Sequence, residues 1–268
     1  MVTNLHTHST FCDGENTPEE IVSYAIEHGF SSIGFSGHGY TGFDLRYCMK
    51  NAEGYIAEIN RLKKVYKGKI QIYLGAEEEM FSIVDRSCFD YTIGSSHYFY
   101  KNGTYYPIDS SYEYFKKCLE IFDYDVVNLA ETYYQNFVGY IQKRRPDIIG
   151  HFDLITKFDE VDGQRFSDNE SYLRIAEKYT KEALKSDCIF EVNTGAISKG
   201  YKSLPYPSEN LLYVIRKSGG KVTISSDSHK VETLDFKFNE MKEMLLDIGF
   251  QYIYVLYDGE FKKELLRG

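Results

Sequence analysis

The chain has 268 residues, of which 43% are hydrophobic and 26% are charged, as in globular proteins with one substantial core. Its 31 basic and 40 acidic residues give a net charge of −9, which disfavours non-specific attraction to a nucleic-acid backbone. No apolar run approaches the roughly 18 residues that span a bilayer, and the five cysteines form no CxxC pair. With an N-terminus that lacks a signal-peptide pattern, these features predict a cytoplasmic protein with reduced thiols.

Apolar runs and capping signals predict that strands and helices alternate along the chain. The first helix is expected to begin after Thr17, with Pro18 in its first turn, and to end before Gly29. Strands are predicted at 2–8, 31–38, 70–77, 91–97, 147–153, 188–194, 221–229 and 252–258. Further helices are predicted at 50–66, 109–122, 126–142, 168–186, 207–218 and 236–248.

This alternation predicts the fold class, because strands joined through helices pair in parallel. About eight such strands in this length favour a single α/β domain over residues 1–268, built as an irregular (β/α) barrel. The alternative is an open, doubly wound sheet. Neither a GxGxxG motif after the first strand nor a GxxxxGK[ST] motif is present, which weakens that alternative.

Histidines recur at one kind of position in this pattern. Six of the seven histidines stand at the C-terminal end of a predicted strand, and two acids share that position. In a parallel barrel these strand ends converge on one rim, where ligands and catalytic groups cluster. Each residue alone has an ordinary explanation as a loop or core residue, but their joint placement predicts one site. The residues are His6, His8, His38, His97, His151 and His229, with Glu77 and Asp227.

Neighbouring residues have simpler interpretations. Asp13 precedes Gly14 and is open to interpretation as a turn residue or as part of the site. Glu78 and Glu79 are expected to belong to a solvated acidic run. His28 lies at a helix end and is assigned no function.

Imidazole and carboxylate donors without thiolate suit zinc, iron or manganese. Six histidines and three carboxylates exceed what one tetrahedral ion uses, so they can serve two or three ions. Closely spaced ions are a common solution for phosphate-ester hydrolysis. The residue inventory therefore predicts a multinuclear hydrolytic site.

The motifs resemble those of the polymerase and histidinol phosphatase (PHP) superfamily, in the same order from residue 4 to about residue 230. Two longer strings, IIGHFDLITKF at 148–158 and FEVNTGAISKGYKSLPYPS at 190–208, are similar to the histidinol-phosphate phosphatase branch. The short motifs are HTH at 6–8, GH at 37–38, GAE at 75–77, SSH at 95–97, GHFD at 150–153 and SDSH at 226–229.

The resemblance implies a distorted (β/α)7 barrel that binds three divalent metal ions at the C-terminal rim of its strands. It implies that Glu77 bridges two of the ions. The first ion would take His6, His8, Glu77 and Asp227, the second Glu77, His97 and His151, and the third Asp13, His38 and His229.

The resemblance also implies hydrolysis of L-histidinol phosphate, a small-molecule monoester, by a hydroxide that bridges two ions. Related enzymes carry arginines at what correspond to Lys157 and Lys199, so these lysines are candidate phosphate ligands, with Arg165 and Lys202 as further candidates. Solvated loop cations are the alternative for each.

Two further roles are predicted for acidic residues and one histidine. The proton for the leaving alcohol could come from Asp153, Asp227 or His229. Glu131 and Glu191 are candidates to hold the substrate's ammonium group.

Alternative functions remain open at this point. A PHP phosphoesterase could act on a nucleotide or another small phosphomonoester, and a regulatory metal-binding protein could lack turnover. An amidohydrolase would also carry HxH on its first strand but usually needs a metal-bridging lysine, and no lysine stands at a predicted strand end.

Overall fold

The computed structural model describes residues 1–161, 163 and 165–267. Seven parallel strands form the central sheet, and each of them pairs with the next one along the chain. Their bounds are β1 Thr3–Asn4, β2 Ser32–Phe35, β3 Gln71–Glu79, β4 Tyr91–Ser95, β7 Ile148–Ile149, β8 Ile189–Asn193 and β9 Lys221–Ser225.

The sheet curls until its first and last strands meet just beyond their C-terminal ends. The His8 amide donates to the Ser228 carbonyl at 2.8 Å, and the Ser228 amide donates to the His6 carbonyl at 3.1 Å. A parallel bridge pairs Thr7 with Ser228 between these bonds. The predicted distorted (β/α)7 barrel is therefore confirmed.

Helices cover the outside of the barrel, as the crossover connections require. In α1 the Thr17 side chain accepts from the Glu20 amide while the Glu20 carboxylate accepts from the Thr17 amide, which confirms the predicted start. The helices are α1 Pro18–Glu27, α2 Ala52–Val65, α3 Tyr112–Ile121, α4 Val126–Arg144, α5 Glu170–Leu184, α6 Gly195–Ser198, α7 Glu209–Lys217 and α8 Phe238–Ile248. Short 3-10 helices occupy Arg86–Cys88, Leu154–Thr156 and Val231–Thr233.

Two antiparallel hairpins lie outside the parallel sheet and correct the sequence prediction. The predicted eighth strand forms β10, Tyr252–Tyr257, but it pairs with β11, Glu260–Leu265, rather than joining the barrel. Asp258 and Gly259 both have positive φ angles, so the chain reverses directly and needs no crossover.

The second hairpin was not predicted. It joins β5, Tyr98–Lys101, to β6, Thr104–Pro107, through Asn102 and Gly103, which also have positive φ. This hairpin leaves the barrel directly after β4. Both its ends therefore lie at the rim where the functional residues are expected.

Apolar side chains close the opposite end of the barrel. Leu5, Tyr91 and Ile93 are almost fully buried inside it and pack with Leu256 of β10. The lower barrel is thus a filled core, and open space remains at the C-terminal rim.

Candidate metal centre

The structure brings all nine predicted metal ligands together at the C-terminal rim. Glu77 lies within β3, and Asp13 lies in the loop before α1. The other donors follow a strand end by two to four residues, so the barrel geometry directs them inward. They are His6 and His8 after β1, His38 after β2, His97 after β4, His151 after β7, and Asp227 and His229 after β9.

The Glu77 carboxylate lies at the centre of this group and is 1% exposed. Burial alone would raise the pKa of Glu77, but His38, His6 and the other imidazoles hold it well below its usual range. Glu77 is therefore ionised. Five imidazole nitrogens surround its two oxygens: His38 Nδ1 at 2.9 Å, His151 Nε2 at 3.1 Å, His6 Nε2 and His97 Nε2 at 3.3 Å, and His8 Nε2 at 3.5 Å.

Asp13 lies on the outer side of the group. Its carboxylate is 3.3 Å from His229 Nε2, 3.6 Å from His8 Nδ1 and 3.7 Å from His38 Nε2. One donor atom from each of these four residues lies within 4.8 Å of the others. Gly14 permits this placement, because a Cβ there would lie 2.5 Å from the backbone of His8.

Asp227 lies on the inner side of the donor group, close to three imidazoles. Its Oδ1 lies 3.2 Å from His8 Nε2, 3.6 Å from His6 Nε2 and 3.7 Å from His229 Nδ1. The backbone of Asp227 has a φ of 49°, an uncommon conformation for a residue other than glycine that recurs at functional sites. Gly195 packs against it, and a Cβ there would approach the Asp227 Cβ to 2.9 Å.

The donor atoms fit divalent metal ions. Nε2 of His6 and Nε2 of His8 are buried and have no hydrogen-bond partner of suitable geometry among the described residues, a costly state that a bound cation would relieve. Burial, with the charges of His229 and His38, lowers the pKa of His8 to about 3 and leaves its imidazole neutral. Burial alone would also lower the pKa of His6, but Glu191, Glu77 and Asp227 hold it well above its usual value, and a bound cation would take the place of that proton. Four overlapping groups of donors could hold an ion: His6, Glu77 and His151; His6, His8 and Asp227; His38, Glu77 and His97; and His8, Asp13, His38 and His229.

Buried carboxylates orient two of these histidines. Glu191 Oε2 lies 2.8 Å from His6 Nδ1, and Glu79 Oε2 lies 2.9 Å from His97 Nδ1. Each bond leaves Nε2 of the same ring facing Glu77. Hydrogen bonds of this type fix the orientation and tautomer of metal-binding imidazoles.

These contacts correct the predictions for four glutamates. Glu78 and Glu79 are buried in β3, and Arg86 and Arg144 pair with Glu78. The two glutamates therefore do not form a solvated acidic run. Glu191 is 0% exposed behind His6 and is not available to a substrate ammonium. Glu131 is also placed elsewhere, because it lies on α4 and pairs with Lys178 and Tyr179.

A cavity of about 370 Å³ opens above the donors. Both predicted phosphate ligands face it: Lys199 Nζ lies 3.3 Å from His229 Nδ1, and Lys157 Nζ donates to the Asp109 carbonyl at 2.6 Å. Arg165 is half-buried and, like Lys202, is not among the described residues that line the cavity. The lining residues are Asp13, His38, Asp44, Arg46, Tyr47, His97, Tyr98, Asp109, Ser110, Lys157, Lys199, Asp227 and His229.

The three predicted proton donors differ in their access to this cavity. Asp227 and His229 line it, whereas Asp153 does not and is 0% exposed. Asp153 accepts a hydrogen bond from the Ser208 amide at 2.9 Å, and burial raises the pKa of its carboxyl group. The structure therefore places Asp153 behind the site.

Two observations concern the rest of the molecule. His28 stacks on Tyr24 at the C-terminal end of α1, with ring centroids 3.7 Å apart, and is not among the described residues that line the cavity. In the described part of the chain, no helix combines the length and apolarity needed to cross a membrane.

Comparison with known proteins agrees with this geometry. The family model for the PHP domain matches residues 4–195. A protein of Schizosaccharomyces pombe named "Probable histidinol-phosphatase" is 28% identical over 97% of this chain and 90% of its own length. The histidinol-phosphatase of Lactococcus lactis is 26% identical over 92% of this chain and 91% of its own length.

A solved structure shares the fold. The crystal structure of histidinol phosphate phosphatase from Lactococcus lactis, complexed with Zn, L-histidinol and phosphate, superposes with a TM-score of 0.74 and 21% identity. The match covers 97% of this chain and 98% of that chain. Because the family model matches more than half of the residues of this chain, the chain belongs to the PHP domain family.

Proposed function

We propose that this chain is a metal-dependent phosphatase that hydrolyses L-histidinol phosphate to L-histidinol and phosphate. The observation that carries the proposal is the set of nine imidazole and carboxylate donors at the floor of a cavity that two lysines also line. The names of the two curated relatives and the ligands of the Lactococcus structure support this choice of substrate. Such a reaction belongs to histidine biosynthesis, and we expect it in the cytoplasm.

We infer three divalent ions, with zinc favoured over iron and manganese by the Lactococcus complex. When bound, such ions supply positive charge that polarises a phosphoryl group and lowers the pKa of a bound water. Glu77 would be shared by two ions, as its central position among five imidazoles supports. The proposed sets are His6, His8, Glu77 and Asp227; Glu77, His97 and His151; and Asp13, His38 and His229, with His8 also close to the third set.

We assign phosphate binding to Lys157 and Lys199. Both line the cavity, and Lys199 Nζ lies 3.3 Å from His229 Nδ1. Lys157 is anchored by the Asp109 carbonyl and by the ring of Tyr201, whose centroid lies 4.9 Å from Nζ. An ammonium held in this way presents a fixed charge to a dianionic ester, although without the two parallel bonds of an arginine.

We assign no single proton donor for the leaving alkoxide, because Asp227 and His229 both belong to the proposed ligand sets and Asp153 lies behind the site. Burial alone would raise the pKa of Asp227, but Lys199, His6 and His229 hold it well below its usual range. Asp227 is therefore ionised and serves as a ligand and a local negative charge. His229 keeps contact with the cavity through a ring that is 21% exposed.

A substrate panel tests this proposal. We expect the metal-loaded protein to release phosphate from L-histidinol phosphate with a kcat/KM at least about 100-fold above that for mononucleotides. A preference for a mononucleotide would favour the alternative PHP phosphoesterase. Absence of phosphate release from every ester in the panel would contradict a phosphatase.

A further inference from the structure

One carboxylate in the cavity wall has no role in the metal centre. Asp109 lies two residues after the end of the β5–β6 hairpin, and the amide of its neighbour Ile108 donates to the His97 carbonyl at 2.8 Å. That bond returns the chain to the end of β4, beside the donor group. The Asp109 side chain therefore lines the cavity next to His97, and it is 26% exposed.

The Asp109 carboxylate has unused capacity to accept hydrogen bonds. Lys157 Nζ lies 3.6 Å from Asp109 Oδ2, beyond hydrogen-bond distance, and donates instead to the Asp109 backbone carbonyl. Within the described part of the chain, the carboxylate oxygens accept no hydrogen bond of suitable geometry. An ammonium group that enters the cavity can therefore donate a hydrogen bond to the Asp109 carboxylate.

The other acids of the cavity lack this capacity. Asp44 accepts from the Arg46 amide at 3.1 Å and from its guanidinium at 2.9 and 2.5 Å, and from the Tyr98 hydroxyl at 2.9 Å. Asp13 and Asp227 face the imidazoles of the donor group. Among the described residues that line the cavity outside the donor group, Asp109 is the acid whose carboxylate oxygens accept no hydrogen bond, and its ion-pair partner Lys157 lies 3.6 Å away.

We propose that Asp109 binds the primary ammonium of an aminoalkyl phosphate and so selects substrates with an amine on the carbon next to the ester carbon. The proposal rests on the proposed phosphatase function and names a specificity residue for it. In L-histidinol phosphate the ammonium and the ester oxygen stand on adjacent carbons. An anion that adjoins Lys157, one of the proposed phosphate ligands, is therefore near the place where this ammonium falls.

A purely local role would have a different consequence. If Asp109 only holds Lys157 in place, its loss would weaken phosphate binding for every ester equally. If Asp109 binds the ammonium, its loss would weaken only those esters that carry one. Comparison of matched substrates separates the two roles.

The experiment measures kcat/KM for two substrate pairs with zinc-loaded wild type and Asp109→Asn. One pair is L-histidinol phosphate and its analogue without the amine, 3-(imidazol-4-yl)propyl phosphate. The other pair is 2-aminoethyl phosphate and ethyl phosphate. Asp44→Asn is the matched control, because it removes an equal charge from the same cavity. Circular dichroism and zinc content confirm that each variant is folded and loaded.

We expect the wild type to prefer the amine-bearing member of each pair by about 10- to 100-fold, as a charged hydrogen bond predicts. Asp109→Asn should abolish most of that preference, and Asp44→Asn should leave the ratio intact. Equal losses for both members of a pair in Asp109→Asn would overturn the proposal. So would a wild type that shows no preference, and this outcome needs no variant to fold.

The two pairs also separate this proposal from the proposed function. Suppose that the protein prefers 2-aminoethyl phosphate to ethyl phosphate, that this preference depends on Asp109, and that L-histidinol phosphate is not hydrolysed. This result would support the ammonium site and refute L-histidinol phosphate as the substrate. Hydrolysis of L-histidinol phosphate with selectivity that does not depend on Asp109 would support the substrate and refute the ammonium site.

Discussion

The Glu191 carboxylate and the His6 imidazole form a hydrogen bond 2.8 Å long between two fully buried side chains. Glu191 also accepts from the His151 amide at 2.6 Å and from the Ser225 hydroxyl at 2.5 Å. One carboxylate thus connects β8 to two donor-bearing loops and to β9. We infer that Glu191 positions His6 rather than contacting substrate.

Replacement of Glu191 by Gln should weaken metal binding, because an amide cannot both accept from His6 and keep the other bonds. We expect the zinc affinity to fall about 10- to 100-fold, as for other carboxylates that orient ligand histidines. Competition with a chelating dye measures the affinity. Glu131→Gln, on the outer face of α4, is the matched control and should bind zinc as the wild type does. Equal zinc affinities in Glu191→Gln and wild type would exclude the positioning role.

Replacement of Glu77 by Gln should remove the anionic centre of the donor group. Because five imidazole nitrogens lie within 3.5 Å of its carboxylate, we expect loss of two of the proposed ions and at least a 1000-fold fall in kcat, on the order of a lost catalytic metal. Mass-spectrometric metal analysis of the purified variant gives the content. Glu58→Gln, at a surface ion pair on α2, serves as control. A variant with full metal content and activity would refute the assigned ligands.

Replacement of Glu78 by Gln should lower stability rather than activity. Glu78 is fully buried and pairs with Arg144 and Arg86 at 2.7 and 2.8 Å, which leaves two cations without their partner when it is lost. We expect the free energy of unfolding to fall by about 3 kcal/mol, measured by urea denaturation. A loss below about 0.5 kcal/mol would show that the pair contributes little.

The same residue predicts a pH dependence. Burial alone would raise the pKa of Glu78, but bonds from Arg144 and Tyr140 hold it below its usual value. A carboxyl group whose pKa is lower in the folded state stabilises the protein above its unfolded-state pKa of about 4.3, and this stabilisation is lost as the pH falls through the folded-state pKa. The difference in unfolding free energy between wild type and Glu78→Gln should therefore shrink below about pH 4. A difference that grows on acidification would contradict this assignment.

Replacement of Gly14 by Ala should displace Asp13. The added Cβ would lie 2.5 Å from the His8 carbonyl carbon and from the Ser9 amide nitrogen, so the loop must shift. We expect one ion to be lost and kcat/KM to fall at least about tenfold, since a shift on the order of 1 Å at a site is costly. Gly139→Ala is the control: a Cβ there meets no atom within 4 Å, and alanine favours the helix by about 1 kcal/mol. Unchanged metal content in Gly14→Ala would show that Asp13 is no ligand.

Sequence reasoning was most successful where periodic patterns set the structure. The alternation of apolar runs and capping signals identified the barrel strands and placed six histidines at one rim, and the structure brings them together. The sequence prediction lacks the two hairpins although Asn102-Gly103 and Asp258-Gly259 are typical turn pairs, because it places 252–258 in the barrel as an eighth strand and assigns no element to 98–107. The ligand roles and the single-domain organisation remain predictions.

Burial of charged residues was the least predictable feature. Glu78 and Glu79 look like an exposed acidic run in the sequence, but their partners, Arg144 and His97, lie far away along the chain. The place of Asp109 in the cavity depends on the β5–β6 hairpin, which the sequence patterns do not predict. Such positions follow from tertiary contacts, which no local pattern encodes.

The most direct test of the metal-dependent phosphatase is a titration of the chelated protein with zinc, with phosphate release from L-histidinol phosphate as the readout. We expect no activity without metal, and activity that rises and reaches its plateau near about three equivalents of zinc per chain. Full activity in the metal-free protein, or no activity at any zinc concentration while the substrate is intact and the protein folded, would contradict it.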